Sequence, residues 1–301
     1  MSVPAPGFRS GFVSLIGRPN VGKSTLVNRL VGRKVSIVSP RPQTTRTQIR
    51  GVRTTADDQI VFLDTPGVHK PRSLLGERTN DRAVSTLAEV DVICFLVEAT
   101  ASIGPGDRFV AELVGQVSTP TVLVVNKVDA AAPDEIARRL ATATGLGDFS
   151  AYVPVSARTG DGVDALVREL ETRMPEGPQY YPDGMVTDQP ESFLAAELVR
   201  EKLLAVARDE LPHSIAVTTD EIEERQTAQG PLLALRVVVR VERESQKGIV
   251  IGKGGAVLKK VGTDARRELE ALLGTRVHLE TRVKVEPDWQ RRAHSLDRLG
   301  L

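Results

Sequence analysis

The sequence predicts an α/β protein in two parts. A mainly parallel, six-stranded sheet with helices on both faces comes first, and a smaller α+β domain follows. Three observations predict this. Short apolar runs alternate with helix-like runs from Phe12–Ile16 to Tyr152–Val155, and such alternation places a helix on each crossover and makes the strands parallel. The polar motifs of this half sit just after apolar runs, at the strand ends where open α/β sheets bind ligands. A Pro-rich break, MPEGPQYYPDGMVTDQPE, then separates a second set of elements.

The chain of 301 residues is long enough for two ordinary domains, and its 41% apolar content suffices for a sizeable core. A net charge of +1 excludes a bulk polycation, so any nucleic-acid binding has to come from a local patch. The single cysteine, Cys94 within ICFLV, excludes an intrachain disulfide, suits a reducing cytosol and reads as a buried strand residue. The opening MSVPAPGFRS lacks the apolar core of a signal peptide, and no apolar run approaches the roughly 20 residues of a membrane span. The expectation is a soluble, cytoplasmic, monomeric protein, with room for peripheral contact at the inner face of the membrane but no span across it.

The expected strands are Phe12–Ile16, Ile49–Arg53, Ile60–Leu63, Val92–Val97, Val122–Val125 and Tyr152–Val155. Helical patterns cover Thr25–Leu30, Leu74–Glu89, Asp107–Val117, Asp134–Ala143 and Gly162–Arg173. The second and third strands are too close for a helical crossover, so they are expected to pair antiparallel at one edge. Between Leu30 and Ile49 lies a polar, Pro-interrupted loop, and long loops in compact domains are usually functional.

The motifs carry the chemistry. Gly17-Arg18-Pro19-Asn20-Val21-Gly22-Lys23-Ser24 lies between a strand and a helix. Its glycines permit turns that a Cβ would obstruct, so successive N–H groups form an anion cradle at a helix N-terminus. Lys23 adds a point charge for β- and γ-phosphates, and Ser24 offers a hydroxyl to Mg²⁺. Thr44 or Thr45 in the following loop is placed to add a second hydroxyl and to sense the γ-phosphate. Asp64-Thr65-Pro66-Gly67 closes the third strand: the carboxylate suits Mg²⁺ through water, and the Gly67 N–H suits a γ-phosphate. Asn126-Lys127-Val128-Asp129 names the base. The Asp129 carboxylate accepts from N1–H and the 2-amino group of guanine, a donor pair that adenine lacks, while the Lys127 stem covers a purine face. Leaving such a buried acceptor unpaired is costly, which gives discrimination. Ser156-Ala157 adds a backbone N–H for the guanine carbonyl.

GRPNVGKS, QTTR, DTPG, NKVD and SA, in this order, resemble the translation-factor-related class of small GTPases. SPRPQTTRTQIRG followed by DTPGVHKPR is similar to the Era family in particular. The resemblance covers nearly the whole chain. The second half agrees with it. A helix over Phe193–Ala207, strands over Ser214–Thr218 and Leu232–Val241, a short helix, Gly252-Lys253-Gly254-Gly255, an amphipathic helix and a strand over Arg276–Val285 resemble a type II KH domain. A GxxG loop of that kind clamps the backbone of about four single-stranded nucleotides. Seven basic residues between Arg236 and Lys260 (Arg236, Arg240, Arg243, Lys247, Lys253, Lys259 and Lys260) form the expected local patch. The RNA contacts are expected at Lys247, Gly252–Gly255, Lys259 and Lys260. Trp289 and His294 lie in a polar tail and are expected to pack on the surface of this domain, His278 is expected in the core or at the rim, and His69 reads as a solvated loop residue.

The resemblance thus implies a P-loop GTPase domain over residues 8–174, a linker over 175–191 and a KH domain over 192–301. It implies hydrolysis of GTP to GDP with Mg²⁺ held by Ser24, Asp64 and the second threonine of QTTR, Thr45, with Lys23, Thr45, Asp64 and Gly67 as the catalytic set. It also implies binding near the 3′ end of 16S ribosomal RNA and a role in assembling the small ribosomal subunit. Val68 departs from the better-known small GTPases, which carry a water-orienting glutamine after this glycine; a valine has no such hydrogen bond. No arginine finger is evident, although Arg18, Arg41 and Arg46 are near. Asn20 resembles an asparagine that helps hold K⁺ in some GTPases; its other reading is a turn residue. Two rivals stay open: an RNA-binding protein whose nucleotide is only a regulatory ligand, and a GTPase whose second domain docks a protein or membrane.

Overall fold

The computed structural model describes residues 7–41, 44–68, 74–207 and 211–301. His69, and the side chain of His213, lie outside what it describes. The chain divides into two compact units, with the principal break between Asp188 and Gln189.

The first unit opens with β1 (Arg9–Ile16) and α1 (Lys23–Val31), continues through β2 (Ile49–Thr54), β3 (Asp58–Asp64), α2 (Leu74–Ser85), β4 (Val92–Glu98), α3 (Pro105–Val114), β5 (Thr121–Asn126), α4 (Pro133–Ala143) and β6 (Ala151–Pro154), and closes with α5 (Val163–Glu171). The six strands lie in the order β2-β3-β1-β4-β5-β6. Only β2 is antiparallel, with Ile49 opposite Asp64 and Thr54 opposite Gln59, as the short connection requires. The strands read as continuous apolar runs because helices cover both faces. Leu26, Val27 and Leu30 of α1 and Leu166 and Leu170 of α5 pack on one face. Ala83, Val110, Val114 and Ala143, from α2, α3 and α4, pack on the other. Helix starts follow local chemistry: Pro105 begins α3, and the Asp107 carboxylate accepts from the Gly104 N–H at 2.9 Å.

The Pro-rich stretch after α5 is no free tether. Met174 is buried in the core. The Gln59 side-chain oxygen accepts from the N–H groups of Tyr180 and Tyr181 at 2.8 and 2.9 Å, and Val52 donates its N–H to Val186 at 2.9 Å. The stretch therefore covers the outer edge of β2, which would otherwise expose unpaired backbone groups. Its prolines prevent regular pairing, and the amide of Gln59 supplies the missing partners.

The second unit contains α6 (Glu191–Val206), α7 (Leu211–Ser214), β7 (Ala216–Thr227), β8 (Gly230–Val241), α8 (Glu244–Ile251), α9 (Ala256–Leu273), β9 (Arg276–Val285) and α10 (Ala293–Arg298). Its sheet has the order β7-β8-β9. The β7–β8 pair is antiparallel, and β8 runs parallel to β9 because α8 and α9 form the crossover. Strand β7 extends to Thr227, well beyond the expected Thr218, because its charged outer half pairs along all of β8. The tail also departs from expectation. Trp289 is fully buried with Ala216, Leu296 and Leu301, and its indole N–H donates to the Ser214 carbonyl at 3.0 Å. A polar sequence hid this because the burial is provided by a single ring with one satisfied donor. His294 is exposed, and so is His278.

Candidate functional sites

The phosphate loop joins β1 to α1. Gly22 has a left-handed backbone (φ 102°), and a Cβ there would lie 2.3 Å from the Asn126 side chain, so only glycine fits. Lys23 is 6% exposed and donates to the carbonyls of Gly17 and Arg18 at 3.1 and 3.2 Å, closing the loop on itself. Burial pushes its pKa down to about 8, against the pull of Asp64, with Arg18 adding to the fall. An anion in the loop would reverse that cost.

Asp64 ends β3 and is fully buried. Its Oδ2 accepts from the Ser36 hydroxyl at 2.5 Å and the Thr45 hydroxyl at 3.3 Å, and Thr45 Oγ1 lies 2.9 Å from Ser24 Oγ. It is thus Thr45 whose hydroxyl joins Ser24 and Asp64. Burial raises the Asp64 pKa; hydrogen bonds from Ser36 and Ser24, the Lys23 charge and Thr45 oppose it. The Asp64 Oδ1 atom is buried without a hydrogen-bond partner among the described residues. Two hydroxyls beside a carboxylate with an orphaned oxygen fit Mg²⁺, a hard cation that takes few protein oxygens and completes its shell with phosphate and water. Among the described residues no cluster of three His, Cys, Asp or Glu offers an alternative metal cage. Beyond Asp64, Thr65 donates to the Leu15 carbonyl at 2.5 Å, and Val68 donates its N–H to Gly17 at 3.3 Å. The Val68 side chain is buried in the core beside α2 and β3, so it faces away from chemistry.

The residues expected to meet the base lie at the ends of β5 and β6. Asn126 is 1% exposed: its Nδ2 donates to the Val21 carbonyl at 2.9 Å, and its Oδ1 accepts from the Ala157 N–H at 3.0 Å. One amide therefore ties the phosphate loop, the NKVD loop and the SA turn together. Asp129 accepts from the Ser156 hydroxyl at 2.5 Å and pairs with Arg158 at 2.5 Å. These hold its carboxyl below the usual carboxylate range, with the Ser156 hydrogen bond the largest cause. Lys127 has a left-handed backbone, φ 67°.

In the second unit the turn between α8 and α9 has positive φ at Gly252, Gly254 and Gly255 (73°, 59° and 78°). Nothing lies within 4 Å of the Cβ position at Gly254 or Gly255, so a sugar-phosphate backbone can approach. The turn opens α9, an 18-residue helix with its N-terminus toward that approach. The expected basic patch is narrower than its seven residues. Arg236 is committed to Glu221 and Glu280, and Arg240 to Asp220 and Glu286, by cross-strand pairing on the sheet. Lys247 lies 3.7 Å from Glu244, and Lys260 pairs with Asp264 at 2.5 Å, both on exposed helix faces. Lys253 and Lys259 have no ion pair among the described residues.

Two family models match this chain: a 50S ribosome-binding GTPase model over residues 12–127 and a KH domain model over residues 210–290. GTPase Era of Nocardioides sp. is 51% identical over 308 aligned positions, covering 99% of this chain and 98% of that protein. GTPase Era of Mycobacterium tuberculosis is 52% identical, covering 97% and 99%. The chain belongs to the Era family of GTPases. A crystal structure of Era in complex with MgGDPNP and nucleotides 1506–1542 of 16S ribosomal RNA has 39% identity and a TM-score of 0.92, covering 97% of this chain and 99% of that one. Aquifex aeolicus Era, as a variant bound to GDP·AlF₄⁻, matches equally with a TM-score of 0.92. As an Era GTPase, the chain is a GTP hydrolase with a P-loop domain and a C-terminal KH domain, the fold class that the sequence predicts.

Some residues of this Era site escaped sequence reasoning. Ser36 touches Asp64, and Asn28 holds Ser36 in place by accepting its N–H at 2.9 Å and donating to its carbonyl at 2.7 Å. Neither stands in a motif. Glu98, which faces both Arg18 and Lys127, carried one signal: it is a carboxylate at the carboxyl end of a central strand.

Proposed function

We propose that this chain binds GTP with Mg²⁺ in the phosphate-loop site, hydrolyses it to GDP and phosphate, and holds single-stranded RNA near the 3′ end of 16S ribosomal RNA through its KH turn while the small ribosomal subunit is assembled. The reading is carried by the end-to-end likeness to an Era solved with MgGDPNP and nucleotides 1506–1542 of 16S ribosomal RNA. The loop N–H groups from Asn20 to Ser24 cradle the phosphates, Lys23 neutralises them, and the Gly67 N–H meets the γ-phosphate. Ser24, Thr45 and Asp64 would hold Mg²⁺, which would supply positive charge against the charge that develops on the phosphates. Asp129 reads guanine, and Lys127 covers its face; the Ala157 N–H, expected to meet the guanine carbonyl, is instead donated to Asn126 Oδ1 and braces the loop. The water-orienting group is not the side chain after Gly67, because Val68 is buried in the core.

Turnover of GTP measured with and without single-stranded RNA carrying the 16S 3′ sequence tests the coupling. Turnover that is negligible in both conditions would favour a purely regulatory nucleotide. Sequencing of RNA crosslinked to the protein in cells tests the ribosomal target. That partner implies a cytoplasmic location, and peripheral membrane contact is tested by co-sedimentation with anionic vesicles.

K⁺ held near Asn20 would supply charge where an arginine finger otherwise acts, a role worth about 10³–10⁵ in rate for arginine. Asn20 has φ 64°, a conformation that asparagine tolerates for reasons unconnected with any ion. Asn20→Gly keeps that backbone and removes the side chain. Hydrolysis faster in K⁺ than in Na⁺ at matched ionic strength, with the difference lost in Asn20→Gly, supports the ion; equal rates in the intact protein refute it.

A further inference from the structure

One carboxylate at the end of β4 gathers two loops of the nucleotide site. Glu98 Oε2 accepts from Arg18 Nη2 at 2.9 Å. Its Oε1 accepts from the Thr100 hydroxyl at 2.6 Å and lies 3.1 Å from Lys127 Nζ. The Glu98 side chain is 15% exposed, so the pairs are partly shielded from water. Arg18 Nε also lies 3.2 Å from Asp107 Oδ1, a charge contact without hydrogen-bond geometry, and Asp107 is itself fixed by the Gly104 N–H at the start of α3. Arg18 belongs to the phosphate loop and Lys127 to the loop that recognises the base.

We propose that Glu98 is a positioning residue that locks the phosphate loop to the guanine loop, with Asp107 as the second anchor of Arg18. This rests on the reading of the site as a guanine-nucleotide site. The physical reason lies in Lys127. Its backbone is already left-handed, a costly conformation for a residue with a Cβ. Its long stem covers the purine only if its ammonium is tied down at the far end, because a free lysine side chain would lose rotamer freedom on binding. Glu98 makes that payment in advance of the nucleotide. The same carboxylate takes up the charges of Arg18 and Lys127, while the Lys23 ammonium sits inside the phosphate loop on the carbonyls of Gly17 and Arg18. Arg18 is thereby a loop anchor rather than a finger.

The lock acts on the base side, so it slows the escape of GDP and of a GTP analogue alike. Glu98→Gln in the full chain removes the charge and keeps the shape. Dissociation of fluorescent GDP and of a fluorescent non-hydrolysable GTP analogue is followed by stopped flow, with the thermal midpoint of the nucleotide-free protein as a check on folding. The expected result is faster release of both nucleotides by a common factor of about ten, the size of a coupled pair of this kind. Most of that factor disappears when Glu98→Gln is made in a Lys127→Met background, and Glu98→Asp restores part of it. Thr100→Val, which removes one hydrogen bond from the same oxygen, serves as the second variant and moves both rates the same way by a smaller factor. Unchanged release in Glu98→Gln, an effect on the GTP analogue alone, or full additivity with Lys127→Met overturns the proposal. Failure of the unaltered protein to bind guanine nucleotides would instead overturn the underlying reading of the site.

Discussion

Asp129 shows how a single residue is prepared for its task. The Ser156 hydroxyl and Arg158 keep its carboxyl ionised and aimed. Asp129→Asn replaces one acceptor by a donor, so competition binding is expected to show preference moving from GTP toward xanthosine triphosphate, whose extra carbonyl meets the new amide. An unchanged preference for GTP refutes the assignment. The pH dependence follows from the same contacts. The folded pKa of Asp129 lies below its unfolded value, so its contribution is present above the unfolded pKa and is lost as pH falls through the folded one. Glu98 behaves alike: burial raises its pKa, but the Thr100 and Lys127 hydrogen bonds and the charges of Lys127 and Arg18 outweigh that and leave it lowered. Both carboxylates are therefore expected to stay ionised at every pH above the ordinary carboxylate range. NMR titration of the two side-chain carboxyl groups checks it, and a midpoint above that range for either one contradicts its depressed pKa.

At the scale of the element, the α8–turn–α9 unit concentrates the proposed nucleic-acid contacts in a few residues. Gly254 combines φ 59° with open space around the missing Cβ. Aspartate is among the side chains that tolerate this conformation, so Gly254→Asp tests charge more than strain. Lys253→Asp with Gly254→Asp sets two negative charges where phosphate has to approach. Affinity for single-stranded RNA is expected to fall by at least about tenfold at physiological salt, with a shallower salt dependence. GDP affinity and the thermal midpoint are expected to hold. Fluorescence anisotropy with labelled RNA measures the first, and undiminished RNA binding would remove the turn from the interface. The β7-β8-β9 sheet suggests which arginines matter less. Arg236 and Arg240 already pair with acidic neighbours on adjacent strands or the following segment, so Arg236→Ala is expected to change sheet stability more than RNA affinity.

The whole molecule holds two cores on one chain, and each has its own sheet. A fragment starting at Gln189 retains α6, the three strands, the KH turn and the tail that buries Trp289. It is expected to fold alone and to bind single-stranded RNA without nucleotide. The chain's single tryptophan, buried in this unit, reports the fold through blue-shifted emission that moves red on denaturation. A fragment that folds by this measure yet never binds single-stranded RNA contradicts the proposed role of the second unit. A cut at Pro175 would instead carry along residues that pair with Gln59 and β2, and would strip the edge of the first sheet.

Much of this protein is written locally. GRPNVGKS, DTPG, NKVD and SA are each a strand end with its next few residues, so contiguous sequence fixes both their conformation and their chemistry. Runs such as ICFLV predict buried parallel strands, and the short spacing before Ile60 predicts the antiparallel edge, for the same local reason. The two glycines after Lys253 likewise announce a turn that admits a backbone. Pairings between distant residues are different, because they depend on which strands become neighbours. Only the folded sheet brings Ser36 to Asp64, Asn126 to Val21, and Glu98 to Arg18 and Lys127. Only the fold sets the Thr45 hydroxyl beside Ser24 and Asp64, buries Trp289 in a polar tail, and uses the Pro-rich stretch to cover β2. A motif records what one segment can do; a side-chain hydrogen bond across the sheet needs two segments at one distance, and that distance is a property of the packed core.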